Sequence, residues 1–180
     1  PPGLYPDEAM NGNNALEALR GGGFSAGGGP ASGWKIYYPE NNGREGLFIN
    51  IQAFFLKLLL PLNQNQPEAW MLRLPSALFG TLTVLGLYFL GKELFGREAG
   101  LLASFLVATS FWHILFSRIG FRAIMAPLLL TWSLYFILSA IREGKEGRLR
   151  RVSWLAALGG VIYGLGFYTY IAYRVTPLLF

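Results

Sequence analysis

Four stretches of the chain carry no charged side chain: 18 residues at 74–91, 19 at 99–117, 19 at 123–141 and 22 at 152–173. As α-helices each would span roughly 27–33 Å, close to the hydrocarbon thickness of a bilayer. Helices of a soluble bundle keep a charged face, and these have none. The pattern therefore predicts an all-α, polytopic membrane helical bundle with spans at about 71–91, 99–117, 123–141 and 152–173. A fifth apolar stretch, 46–62, contains Asn50, Gln52 and Lys57. It reads as an amphipathic helix lying at the membrane surface, or alternatively as a short span with a snorkelling Lys57.

The first 45 residues are polar and irregular. Pro6 and Gly21 bracket a predicted helix over 7–20. The run GGGFSAGGG at 21–29 is a flexible segment without core-forming residues. WKIYYPENNGRE, 34–45, predicts a short strand followed by a turn at Asn41-Asn42-Gly43. Residues 1–70 then form an irregular first loop with surface helices, and 71–180 the membrane helices. The chain has no initiator Met and ends at Phe180 inside an apolar stretch, and we read it as a fragment of a longer protein.

Composition narrows the chemistry. With 53% hydrophobic and 14% charged residues, the chain is well below the roughly one quarter charged of a soluble domain. It has no Cys and one His, which excludes a disulfide framework, a thiolate site and a multi-His metal centre. The net charge of +5 would suit nucleic acid until it is mapped. Residues 92–98 and 142–151 hold two and five basic residues, on one side of the predicted bundle, against two in 118–122 on the other. The seven-charge side is cytoplasmic by the positive-inside rule. Residues 1–70, the 118–122 loop and the end near Arg174 then face outward. Much of the charge is thus a topology signal, and no nucleic-acid partner is called for. Arg118 and Arg122 run against that rule, which suggests either an anionic ligand at the outer surface or plain headgroup contact.

No acidic residue lies in a predicted span, which argues against an ion-coupled transporter. Asp7, the only Asp, is followed by Glu8 at the start of an outward helix. A carboxylate there can act as general base toward a hydroxyl, with a guanidinium cluster holding a phosphate leaving group; it can equally serve as a helix cap. Of the remaining residues, His113 reads as bonded to a neighbouring backbone. Gly160 and Gly164 form a GxxxG packing motif, and Pro127 should kink the third span or free a carbonyl. Tyr168, Tyr170 and Tyr173 read as an interfacial aromatic belt, with sugar stacking as a secondary role.

Four segments taken in order resemble a known family. YPDEAMNGNNALEAL (5–19) looks like the start of the first outer loop of polytopic glycosyltransferases of the GT-C fold. The group resembled is the dolichyl-phosphate-mannose–protein mannosyltransferase and aminoarabinose-transferase superfamily (glycosyltransferase family 39). LRLPSALFGTLTVLGLYFLGKELFGREAGLLA (72–103), HILFSRIGFRAIMAPLLL (113–130) and YTYIAYRVTP (168–177) are similar to later segments of that family.

The resemblance implies inverting transfer of a sugar from a polyprenyl-phosphate carrier to an acceptor hydroxyl on protein, lipid A or a glycan. Transfer would occur at the outer face of the plasma (inner) membrane, with membrane lipids as further partners. It gives Asp7 the role of catalytic base, and Glu8 that of orienting the acceptor or assisting a divalent ion, the one cofactor left open. Arg118 matches the family's SR motif as a donor-phosphate binder, and Arg122, Arg73 and Arg174 are further candidates. Two departures stand out. Arg122-Ala123 occupies the place where many members have an acid after the SR motif. YYPENNGREG (37–46) replaces a His-Pro-Pro-type motif, leaving Glu40 or Glu45 as auxiliary carboxylates or as turn and cap residues. Two rival readings remain: a non-enzymatic transporter or flippase component for lipid-linked precursors, and an oligosaccharide-transferring relative that uses a diphosphate carrier.

Overall fold

The computed structural model describes residues 3–20, 33–39 and 41–179. The glycine-rich run at 21–29 and Glu40 lie outside the described residues. Helix α1 (Pro6–Arg20) is followed by a two-stranded antiparallel hairpin, β1 (Tyr37–Tyr38) and β2 (Arg44–Glu45), and by α2 (Leu47–Leu59), which runs into a 3-10 turn, Leu60–Asn63. Then come α3 (Ala69–Phe95), α4 (Arg97–Ala108), α5 (Phe111–Arg118), a 3-10 turn Arg122–Ile124, α6 (Met125–Lys145), α7 (Leu149–Gly166) and a 3-10 segment, Ile171–Leu179. The all-α helical bundle is what the hydropathy pattern predicts.

α1 starts where its sequence directs. The first helical bond runs from the Ala9 N–H to the Tyr5 carbonyl, and Glu8 accepts the Tyr5 N–H at 3.0 Å. Tyr5 is therefore the N-cap, Pro6 takes the first helical position where its missing N–H costs nothing, and Glu8 closes half a capping box. Asp7 is thereby released from the capping role that its position allowed.

The buried centre of this end packs alanines against larger apolar side chains. Ala15 and Ala18 of α1, Tyr38 of β1, Ile49, Ala53 and Leu56 of α2 and Met71 and Leu72 of α3 form one cluster. Asn42 and Gly43 take positive φ, 51° and 65°, and make the hairpin turn that the Asn-Asn-Gly run signals. α2 buries Phe48, Ile49, Gln52, Ala53 and Leu56 and exposes Phe54, Lys57 and Leu58. Its stretch Leu47–Asn63 is apolar but short of the length that crosses a membrane.

α3, about 40 Å long by its helical rise, begins five residues before the charge-free run, so Pro75 falls inside it. A proline there withdraws one backbone donor from the preceding turn. The buried Gln52 amide donates to the neighbouring Leu72 carbonyl at 2.9 Å. α3 and α4 are joined through Gly96 alone, at φ 94°. They cross so closely that a Cβ on Gly100 would lie 2.6 Å from the Tyr88 carbonyl oxygen.

Two helical stretches, Ala69–Phe95 and Arg122–Lys145, are long and apolar enough to cross a membrane, and α4 with α5 would make a third if taken as one bent span. Here the chain departs from the charge-free runs. The 99–117 run is two helices meeting at 61°. At the break, the Thr109 hydroxyl bonds back to the Phe105 and Leu106 carbonyls, and Ser110 turns extended at ψ 128°. The 152–173 run is α-helical only to Gly166; its remainder, which enters the 3-10 segment, folds back, with Tyr173 packed onto the bare Gly166 backbone and against the rings of Tyr163 and Phe167. Tyr173 is thus a core residue, 1% exposed, and not part of an interfacial belt.

Pro127 sits in the first turn of α6, where it breaks no helix. In α7 the packing glycine is Gly159, where a Cβ would meet Ile137 Cγ1 at 2.9 Å. Gly160 and Gly164 have open space around them, so the GxxxG pair makes no close crossing among the described residues.

Candidate functional site

Successive residues of α1 reach different neighbours. Asp7 Oδ1 accepts from Arg44 Nη2 at 2.7 Å, and Oδ2 has no hydrogen-bond partner among the described residues. The Asp7 side chain is 48% exposed, whereas that of Arg44 is 9% exposed. Arg44 is held in turn: its Nη1 donates to Asn11 Oδ1 at 3.0 Å. Asn41 Nδ2 donates to the same Asn11 oxygen at 3.2 Å and to Asn14 Oδ1 at 2.7 Å. A buried amide ladder thus fixes a guanidinium, and the guanidinium fixes one oxygen of a carboxylate whose other oxygen is open.

Glu8 is 1% exposed. Its Oε1 accepts from Arg73 Nε at 2.8 Å and from the Gly120 N–H at 2.6 Å. Its Oε2 accepts from Arg73 Nη2 at 2.9 Å and from the Tyr5 N–H at 3.0 Å. Burial pushes this carboxyl up, but the Arg73 guanidinium and the Gly120 and Tyr5 N–H groups outweigh it and hold it below the usual carboxylate range. With four donors on two oxygens, Glu8 has no oxygen open for an acceptor or a divalent ion. It ties α1 to α3 and to the turn after α5. Among the described residues no three acidic or His side chains gather as a metal site.

Glu45, next to Arg44 on β2, faces a second pair of cations. It is bonded to Arg122 Nη1 and, through Oε1, to Arg174 Nη2 at 3.2 Å. The Arg122 guanidinium also lies over the Tyr170 ring, 5.6 Å from its centroid. Three of the four arginines singled out in the sequence are therefore paired with carboxylates: Arg73 with Glu8, and Arg122 and Arg174 with Glu45.

Arg118 differs. It ends α5, is exposed, and makes no hydrogen bond or ion pair among the described residues. It and Arg122 do not share a helical turn, because Ile119 is extended at ψ 149° and the chain re-enters a helical turn only at Arg122. Arg118 lines two adjoining open cavities between α3 and α5, about 510 and 380 Å³, which share Ala77, Ser117 and Arg118. The first is also lined by Glu68, Trp70, Arg73 and Leu74, the second by Gly80, Val84, Ala108 and His113. His113 Nε2 is 3.0 Å from the Gly80 carbonyl oxygen, the backbone partner expected of a lone histidine.

The sequence assigns no role to Arg44, to Asn11 and Asn14 or to the Gly120 N–H, and Asn41 only its place in the turn. The available signal was a basic residue directly before Glu45 at a predicted turn, and a cluster of asparagines on α1. Neither specifies a partner 37 residues away, as Asp7 is from Arg44.

Comparison with known proteins adds the following. Residues 51–180 match the family model described as dolichyl-phosphate-mannose-protein mannosyltransferase. The chain is 36% identical over 115 residues to the Bacillus subtilis (strain 168) protein named "Putative mannosyltransferase YkcB". The match takes in 61% of this chain and 15% of that protein, so the chain spans about 15% of the length of that relative. No solved structure matches it significantly.

Proposed function

Because the chain belongs to the dolichyl-phosphate-mannose-protein mannosyltransferase family, we propose that it is part of an integral-membrane glycosyltransferase that moves a sugar from a polyprenyl-phosphate carrier to an acceptor hydroxyl. The observation that carries this reading is Asp7: a half-exposed carboxylate with one oxygen clamped by Arg44 and the other without a partner among the described residues. The free oxygen takes the acceptor's proton. The acceptor oxygen attacks the anomeric carbon from the face opposite the carrier, the bond from that carbon to the phosphate oxygen breaks, and polyprenyl phosphate leaves. The sugar's configuration is thereby inverted.

Arg118, exposed at the cavity wall and unpaired among the described residues, receives the carrier phosphate, with Arg73 beside it. Ala77, Gly80 and Val84 along the same cavities leave room for the first units of a prenyl chain. Arg122 and Arg174 share the single carboxylate of Glu45, which offsets one of their two charges. Glu8 holds the layout together without touching substrate. The site faces outward across the plasma membrane in this reading, because the seven basic residues of 92–98 and 142–151 lie at the other end of the helices.

Turnover by the full-length protein purified in detergent tests the reading, since a transporter has nothing to transport there. Sugar transferred from a polyprenyl-phosphate mannose donor to a hydroxyl acceptor is the expected outcome. Donor binding without any transfer would favour the transporter, and transfer only from a diphosphate-linked oligosaccharide would favour the oligosaccharide-transferring relative.

A further inference from the structure

The turn between α6 and α7, far from Asp7 in the chain, has a surface that the proposed transfer does not use. Five basic and two acidic residues fall within 142–151, and their pairing is uneven. Arg142 is bonded to Glu93, and Arg148 takes both Glu143 and Glu146. Arg151 stands off at 3.7 Å from Glu143, beyond hydrogen-bond reach. Arg150 makes no hydrogen bond or ion pair among the described residues, and both are exposed.

These two guanidinium groups open onto a cavity of about 530 Å³ between the helices, lined by Glu143, Arg150, Arg151, Trp154 and Leu155. The Glu143 carboxylate on its wall is already bonded to Arg148 Nε and Nη2, so it opposes an incoming anion weakly. Trp154 is 72% exposed, and Leu158, Val161 and Leu165 continue from it along α7, all exposed. Their spacing of four, three and four residues puts them on one helix face.

From this juxtaposition we infer that the α6–α7 cavity binds an anionic phospholipid. The headgroup phosphate sits between Arg150 and Arg151, the Trp154 ring lies at the glycerol level, and an acyl chain runs down the Leu158–Val161–Leu165 face. A free anion would use the two arginines and leave the apolar face idle. A neutral lipid would use the face and leave the arginines idle. Only a lipid with a net negative headgroup satisfies both, and basic pockets between membrane helices recognise such headgroups.

The test is lipid retention by the full-length protein, read by native mass spectrometry after equal exposure to phosphatidylglycerol and phosphatidylcholine with matched acyl chains. Phosphatidylglycerol should be retained on the order of tenfold better. Arg150→Gln with Arg151→Gln should bring the two lipids to parity. Lys145→Gln, which removes a charge from the same turn but from outside the cavity, should leave the preference intact. Equal retention by the unaltered protein, a preference that survives the double substitution, or an equal loss in Lys145→Gln would each overturn the assignment. So would loss of the preference in millimolar inorganic phosphate, which would make this a site for the free ion.

A second readout needs no arginine variant. Phosphatidylglycerol brominated on its acyl chain should quench a share of the tryptophan fluorescence that Trp154→Phe removes. If Trp154→Phe leaves the quenching unchanged, the lipid does not lie in this cavity.

Discussion

The Glu8 carboxyl titrates below its ordinary 4.5 in the folded chain, so the unfolded chain takes up that proton first as the solution is acidified. Its contribution to stability is complete above about pH 4.5 and is lost as the pH falls through the lower, folded value. Glu8→Gln should destabilise the protein by about 3 kcal/mol at neutral pH, because it leaves Arg73 without its partner. It should also flatten the acid limb of a plot of Tm against pH in detergent; an unchanged acid limb would mean that another carboxylate governs it. In the proposed reaction Arg44 acts on function instead, through Asp7. Arg44→Gln should leave folding intact and lower kcat about tenfold or more with little change in donor KM, since it frees Asp7 to leave the productive geometry. A matching rise in donor KM would place Arg44 on the carrier phosphate. At this scale the sequence exposed the ingredients and not the pairing. Asp7 and Glu8 stand out as adjacent acids, but nothing in their spacing says that the second is buried by an arginine 65 residues on and a backbone N–H 112 residues on. Local signals reach only a few residues, and these partners meet through the packing of α1 on α2 and of α2 on α3.

Charge-free runs locate membrane helices well because a charged side chain in hydrocarbon is costly whatever the fold; α3 and α6 sit on the runs that predict them. Breaks inside a run are another matter. No Pro or Gly marks the bend between α4 and α5; a Thr hydroxyl bonding back and one extended Ser make it. The end of α7 at Gly166 depends on Tyr173 filling the space above that glycine, a contact that no periodicity contains. The bend turns α5 against α3, and Gly80 is where they meet: a Cβ there would lie 2.1 Å from Ser117 Oγ and 2.8 Å from Ser117 Cβ. Gly80→Ala should cost about 1–3 kcal/mol of stability and widen the cavity beneath Arg118. Ser117→Ala should recover only part of that loss, because the Cβ clash remains; full recovery in thermal unfolding would mean that the hydroxyl alone sets the spacing.

Across the whole molecule, the charges at the Asp7 end fall into two groups joined by Glu8. One is Asp7 with Arg44, backed by Glu45, Arg122 and Arg174. The other is Arg73 and Arg118 on the cavities beside α3. In the proposed reaction they serve the two substrates separately, the first deprotonating the acceptor and the second holding the carrier phosphate. Arg118→Ala should therefore raise donor KM severalfold or more while leaving acceptor KM unchanged, and an equal effect on both would make Arg118 structural. The proposed role of Asp7 as the base has a direct measurement. Asp7→Asn keeps the size of the side chain and removes its basicity. Assayed in the full-length protein with a polyprenyl-phosphate sugar donor, at matched expression and Tm, it should lower kcat by about 10²-fold or more. Turnover at the unaltered rate would contradict the account.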